Sequence, residues 1–190
     1  MTYNPDFHDR NSIRLQSYDY RTAGAYFVTI CTFQKEPVLA GIVNGEMRLT
    51  PLGEVVRGCW NEIPRHFSHV EQDEFVVMPN HLHGIIVINN AVINVGAQHA
   101  APGVYMADVE RAQRAAPLRN VLPASLGAVV RSFKSACTKR INELRATPGL
   151  PVWQRNYHER VIRHDNELHA LRHYIQSNPA RWEEDSEHPT

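Results

Sequence analysis

Two strand-like stretches, Val70 to Met78 (ending Phe75-Val76-Val77-Met78) and His81 to Ile88 (ending in an apolar, β-branched run), are separated only by Pro79-Asn80. Both of those residues favour turns, and two residues are too few for a crossover, so the runs must pair as an antiparallel hairpin. The second run also carries chemistry. Side chains alternate faces along a strand, so His81 and His83 of Met78-Pro79-Asn80-His81-Leu82-His83-Gly84 project to one side. Two imidazoles on one face are half of a site for a divalent transition ion. They are also what two ordinary strand histidines look like, one hydrogen-bonded and one solvated. Spacing alone leaves both readings open.

The flanking pattern is alternately strand-like and helical. Tyr26 to Phe33 reads as a strand, and Val38–Val43 with Glu46–Leu49 as a hairpin turning at Asn44-Gly45. A helix is predicted from Thr50 or Pro51 to about Phe67, with Leu52, Val55, Val56, Cys59, Trp60 and Ile63 facing the core. Another is predicted over 126–145, with Val129, Val130, Phe133, Cys137, Ile141 and Leu144 inward and Arg131, Lys134, Lys139 and Arg140 outward. A short strand over 159–163 and a last helix capped by Asp165 and ended at Asn178-Pro179 follow. This order predicts an α+β fold, a ferredoxin-like antiparallel sheet covered by helices. Gly, Pro, Asn and Ala without periodicity predict a mobile insertion at about 89–124 within a single domain spanning 1–182. The first twenty residues read as an extended arm, and the acidic tail 183–190 is expected to be loose.

No apolar run reaches membrane-spanning length, and no secretory leader pattern opens the chain. Three dispersed cysteines, Cys31, Cys59 and Cys137, fit reduced thiols of a cytoplasmic protein. Lys+Arg and Asp+Glu each number 20, yet they are unevenly spread. Between Arg111 and Arg163 lie eleven cations and only two acids, Glu143 and Glu159. Such a segment suggests a localised polyanion-binding face, although a solvated basic surface accounts for the charge as well.

A reaction needs a nucleophile or an activated water beside the two imidazoles, and the last helix offers one. Leu168, Leu171 and Ile175 form its apolar stripe, while Tyr174 and Asn178, four apart, stack on one face. A hydroxyl nucleophile beside a neutral oxygen ligand would look like this; so would a rim tyrosine and a helix-capping asparagine.

At this point the ordered set of motifs resembles a known family. Tyr18-Asp19-Tyr20 after Ile13-Arg14-Leu15, Gly24 to Thr32, Asp73 to Gly84, Trp153-Gln154-Arg155-Asn156-Tyr157 through Arg163, and Tyr174-Ile175-Gln176-Ser177-Asn178-Pro179 are together similar to the single-tyrosine HUH transposases, in particular their REP-associated branch (RAYT proteins). His81-Leu82-His83 matches the histidine–hydrophobic–histidine motif without departure. The resemblance implies cleavage and joining of single-stranded DNA, with Tyr174 as nucleophile forming a 5′-phosphotyrosine. It implies that His81 and His83 hold a divalent ion, Mg2+ or Mn2+. Asn178 stands where the third ligand is expected, although many relatives carry glutamine there. The implied substrates are DNA hairpins of repetitive extragenic palindromes, contacted through Arg131, Lys134, Lys139, Arg140 and Arg155. Transposase relatives form homodimers, whereas REP-associated ones can work as monomers. Tyr157 is the competing tyrosine, read as structural or DNA-contacting. Two neighbouring readings are a mobile-element transposase moving its own gene and a catalytically silent hairpin-binding regulator. A histidine-triad nucleotide hydrolase would need a third alternating histidine, and position 85 is isoleucine.

Overall fold

The computed structural model describes residues 18–43, 46–89 and 123–188. The predicted Asn44-Gly45 turn, most of the arm and nearly all of the insertion lie outside these residues. The chain runs β1 (Gly24–Cys31), β2 (Ala40–Val43), β3 (Glu46–Leu49), α1 (Pro51–Asn61), α2 (Ile63–His66), β4 (Val70–Val77), β5 (His81–Ile88), α3 (Leu126–Arg145), β6 (His158–Ile162) and α4 (Asp165–Ser177). A 3-10 segment, Asn178–Glu184, follows α4 directly.

The main sheet has the order β4-β5-β1-β6, with antiparallel pairing throughout. With α1 between β1 and β4, and α3 between β5 and β6, this is the α+β, ferredoxin-like arrangement. β2 and β3 pair separately as a hairpin.

Local chemistry explains most boundaries. The Thr50 hydroxyl accepts from the Gly53 backbone N–H at the start of α1, with Pro51 in the first turn. The single helix predicted to Phe67 is instead two, because Pro64 lacks an N–H and its ring would collide with a carbonyl one turn back; it opens α2 instead. Ser125 caps α3, which ends at Ala146 in the left-handed conformation. His164, rather than Asp165, occupies the cap position of α4, and Glu167 reaches back to accept from the Arg163 backbone N–H at 3.0 Å.

Alternation on β1 and β5 sends Tyr26, Val28, Ile30, Leu82 and Ile86 to one face. There they pack with Trp60, Phe133, Cys137 and Ile141 of α1 and α3. Gly84 lies under the Trp60 indole, so close that a Cβ would overlap the ring. The opposite face carries a smaller patch, Phe27, Ile85, Ile162 and Ile175, edged by Leu168 and Leu171 of α4.

Two polar clamps lock α4 across that second face. A bulge between Gln72 and Phe75 frees Asp73 and Glu74 from the ladder. Asp73 then takes a two-pronged grip from Arg172, at 2.8 and 2.5 Å, and Glu74 accepts from Gln176 at 2.9 Å. Register on α4 is thereby fixed, and with it the position of Tyr174.

Candidate active site

His81 and His83 emerge on the α4 side of β5, both buried, with their Nε2 atoms 2.9 Å apart. Each ring is held from behind. Asn80 donates through Nδ2 to the Glu187 carbonyl, so its Oδ1 faces His81 Nδ1 at 2.8 Å and accepts that proton. The Nε2 lone pair of His81 is then left pointing into the cluster. Thr29, the cross-strand neighbour of His83, holds His83 Nδ1 through its hydroxyl at 2.8 Å. Burial first, and the neighbouring His83 second, push the His81 imidazole down to about 3, which keeps it in the neutral form that binds metals.

Tyr174 reaches the same point from α4. Its hydroxyl lies 3.2 Å from His83 Nε2 and 3.3 Å from Asp185 Oδ2, to which it donates. The residue is 36% exposed, so the phenol stands at the mouth of the cluster rather than beneath it. Burial and the Asp185 carboxylate push the phenol up to about 12. A cleft of about 290 Å³ lined by Phe27, Thr29, His83, His158, Leu171 and Tyr174 opens beside it. A second groove, of about 760 Å³, runs from Arg160, Arg163 and His164 past Leu171 to Tyr174.

Asp185 is the residue that the sequence pattern did not single out. Its Oδ2 is 3.7 Å from His83 Nε2 and 4.0 Å from His81 Nε2, and its side chain is wholly buried. The tail expected to be loose is therefore ordered as far as these residues. Trp182 is buried and lies tilted over His81, Glu187 pairs with Lys35 at 3.0 Å, and the Cys31 thiol donates to Glu187. Burial disfavours the charged Asp185 carboxyl. Hydrogen bonds from His83, Asn178 and the Glu187 N–H outweigh that cost and hold it well below the usual carboxylate range. Within Glu183-Glu184-Asp185-Ser186-Glu187 nothing in the sequence marks this acid; only Trp182, an apolar anchor in an acidic run, hints that the segment docks.

Asn178 stands one bond further out. Its Nδ2 donates to Asp185 Oδ2 at 2.8 Å, and its buried Oδ1 has no hydrogen-bond partner among the described residues. Tyr157 packs against the apolar core on the far side of the sheet, away from His81 and His83.

His81, His83 and Asp185 bring two nitrogens and a carboxylate oxygen within 4.8 Å of one another, a group able to hold a metal ion. Imidazole bonds of about 2.1 Å set at right angles place two ligand nitrogens about 3 Å apart, close to the spacing here. The donor chemistry fits as well: two imidazoles braced at Nδ1, His81 held neutral, with an ionised carboxylate opposite.

The basic residues divide differently. Arg131, Lys134, Lys139 and Arg155 gather around one cavity beside α3. Arg140 instead turns to α1, where it donates to Glu62 at 2.7 Å and to the Cys59 thiol. Lys134 donates to the carbonyls of Gln154, Arg155 and Asn156, and its burial pushes its ammonium down to about 8. α3 covers the sheet face opposite the two histidines. No helix among the described residues is long and apolar enough to cross a membrane.

No protein-family model matches the chain. An uncharacterised protein of Haemophilus influenzae (strain ATCC 51907 / DSM 11121 / KW20 / Rd) is 39% identical over 186 residues, which cover 96% of this chain and 95% of that one. Among solved structures, a REP-associated tyrosine transposase bound to a REP hairpin superposes with a TM-score of 0.55. It is 17% identical, and the match covers 90% of this chain and 74% of the other. The fold is shared.

Proposed function

We propose that this chain, which belongs to one family with the Haemophilus influenzae protein, is a transposase-like DNA-processing enzyme that nicks and rejoins single-stranded DNA at hairpins through Tyr174. The observation that carries the reading is the placement of the Tyr174 hydroxyl 3.2 Å from His83 Nε2, across ninety residues of sequence. A tyrosine at the rim of a buried His-His-Asp cluster has little structural reason to be there. It has a chemical one if its oxygen must meet a phosphate arriving from solvent. The hairpin-bound state of the structural neighbour supports DNA as the partner.

His81 and His83 would hold a divalent cation with Asp185, while Asn178 aligns the Asp185 carboxylate. Bound there, the cation would supply Lewis-acid neutralisation of charge on a scissile phosphate. An imidazole-containing set favours Mn2+ over Mg2+, which prefers all-oxygen octahedra. The protein's own residues account for the rest. Arg160, Arg163 and His164 flank the groove that leads a phosphodiester backbone to Tyr174. The Tyr174 oxygen attacks phosphorus as its proton is lost; the P–O3′ bond breaks and the departing 3′ oxygen takes up that one proton, leaving as a hydroxyl. A 5′-phosphotyrosine remains. Attack by a 3′-hydroxyl on that linkage reverses the step and frees Tyr174, so strand joining needs no outside energy source.

The test is covalent trapping. Full-length protein with Mn2+ and a single-stranded hairpin oligonucleotide should give a protein–DNA adduct that survives denaturing electrophoresis. Tyr174→Phe should abolish the adduct and leave hairpin binding within about twofold of wild type. If the adduct persists in Tyr174→Phe and vanishes in Tyr157→Phe, Tyr174 is not the nucleophile.

A further inference from the structure

Asp185 is carried to the two histidines by the segment after α4, and one residue of that segment reaches two of the three candidate ligands through its main chain. That residue is Glu187. Its N–H donates to Asp185 Oδ1 at 2.6 Å, which leaves Oδ2 turned toward His81 and His83. Its carbonyl accepts from Asn80 Nδ2 at 2.7 Å, and Oδ1 of the same amide meets His81 Nδ1 at 2.8 Å. Two ligands from separate elements, β5 and the C-terminal segment, are thus aimed from one residue.

Main-chain groups aim a ligand only where the chain itself is held, and the Glu187 side chain does the holding. Its Oε2 accepts from Lys35 Nζ at 3.0 Å and from the Cys31 thiol at 3.3 Å. Lys35 arrives there on an unusual turn. Gln34 and Lys35 both adopt left-handed backbone, with φ of 55° and 56°, a region that residues other than glycine seldom occupy. Thr32 braces the turn by donating through Oγ1 to the Glu36 carbonyl at 2.8 Å, and the Phe33 N–H donates to the Val152 carbonyl at 2.8 Å. Strained backbone of this kind persists only where its surroundings fix it, and it collects at functional sites. Here it ends in the ion pair with Glu187.

We propose that Glu187, tethered by Lys35, is the positioning residue of the cation site, aiming Asp185 through its N–H and His81 through its carbonyl and Asn80. The role rests on the reading of His81, His83 and Asp185 as cation ligands. Neither Glu187 nor Lys35 touches the ion. Outer partners of this kind fix ligand geometry, and removing one costs roughly ten- to a hundredfold in metal affinity. The coupling is reciprocal: a cation that holds Asp185 also holds the segment that carries it. At Lys35 this role and plain electrostatics part company. An ammonium near the histidines repels a cation, and the Lys35 charge acts on His81 in that sense. Charge alone therefore predicts tighter cation binding when Lys35 is neutralised, and a tether predicts weaker binding.

Full-length protein is titrated with Mn2+ alone, without DNA, by calorimetry and by loss of the free-ion electron paramagnetic resonance signal. Glu187→Ala should weaken Mn2+ binding roughly tenfold or more, and Lys35→Met roughly threefold or more. The thermal midpoints of both metal-free variants should stay close to that of the wild type, because the Lys35–Glu187 pair is partly open to solvent. In an Asp185→Ala background, Glu187→Ala should cost less than it does in the wild type, since one of the two ligands it aims is already gone. Saturating Mn2+ should slow trypsin cleavage after the exposed Arg181 in the wild type, and slow it less in Glu187→Ala. Unchanged Mn2+ affinity in Glu187→Ala, or tighter binding in Lys35→Met, overturns the positioning role. A wild-type protein that binds no Mn2+ overturns the cation reading and this role with it. Mn2+ binding that weakens in both variants, in a protein that never forms the covalent DNA adduct, supports this role and faults the nicking reading alone.

Discussion

The two faces of the central sheet are made by the same strands and do opposite work. On β5, Leu82 and Ile86 enter a broad dry core under α1 and α3, whereas His81 and His83, each one residue away, enter a small polar cluster under α4. The first face is sealed by aromatic packing: Trp60 stacks on Phe75 at 5.6 Å and meets Phe133 edge-on at 5.4 Å. The second has little apolar area, so α4 depends on Arg172–Asp73 and Gln176–Glu74 as well as on Leu168, Leu171 and Ile175. One face holds the fold together, and the other buries the polar groups that the proposed chemistry would use. Substitutions at neighbouring residues should therefore separate stability from activity.

The sharpest separation is His83→Ala. It removes a proposed metal ligand from the face that contributes least to the core, so Mn2+-dependent adduct formation should fall by roughly a hundredfold or more. The urea midpoint should stay close to that of the wild type. Full activity in His83→Ala would erase the distinction between the faces. Leu82→Ala should do the reverse. A fully buried leucine cut back to alanine in a packed core costs about 2–5 kcal/mol, read by urea denaturation, with adduct formation retained at temperatures where the protein remains folded. Gly84→Ala probes the same face by overfilling: the new methyl meets the Trp60 ring, for about 1–3 kcal/mol lost. If Gly84→Ala were neutral, the close approach of Trp60 would not be a constraint.

These residues also show what a sequence can and cannot reveal. The apolar, β-branched runs Phe75–Met78 and Ile85–Ile88 on either side of Pro79-Asn80 and the apolar stripes of α1, α3 and α4 are local patterns, so the elements and the ferredoxin-like order follow from them. His81 and His83 are legible because a strand forces i and i+2 onto one face, and Tyr174 because the helical spacing of Leu168, Leu171 and Ile175 places it at the stripe's edge. Asp185 is not legible. It is one acid in a run of acids, and its place beside the two histidines arises only when Trp182 docks beside His81. The bulge at Asp73-Glu74 is hidden for a similar reason, since two acids in a strand announce solvent exposure rather than a clamp. The opposed destinations of Arg140 and Lys134 likewise depend on where Glu62 and the carbonyls after Trp153 come to rest.

The clamp gives the smallest effect and tests how the second face is held. The Arg172 side chain is exposed, so solvent screens its pair with Asp73 and the contribution should be small. Its pH dependence has a definite sign. The Arg172 hydrogen bonds lower the Asp73 carboxyl below its ordinary value, partly offset by burial, so the folded state favours the ionised form. Stability from the pair is then fully present above the unfolded carboxyl value and lost as pH falls through the lower, folded one. Thermal midpoints of wild type and Arg172→Ala should differ by a degree or two near neutrality and converge in acid. Because the clamp also sets the register of α4, the same variant should slow adduct formation more than that small loss of stability accounts for, as Tyr174 drifts from His83. A variant equally stable and equally fast would mean that Leu168, Leu171 and Ile175 alone suffice to seat the helix.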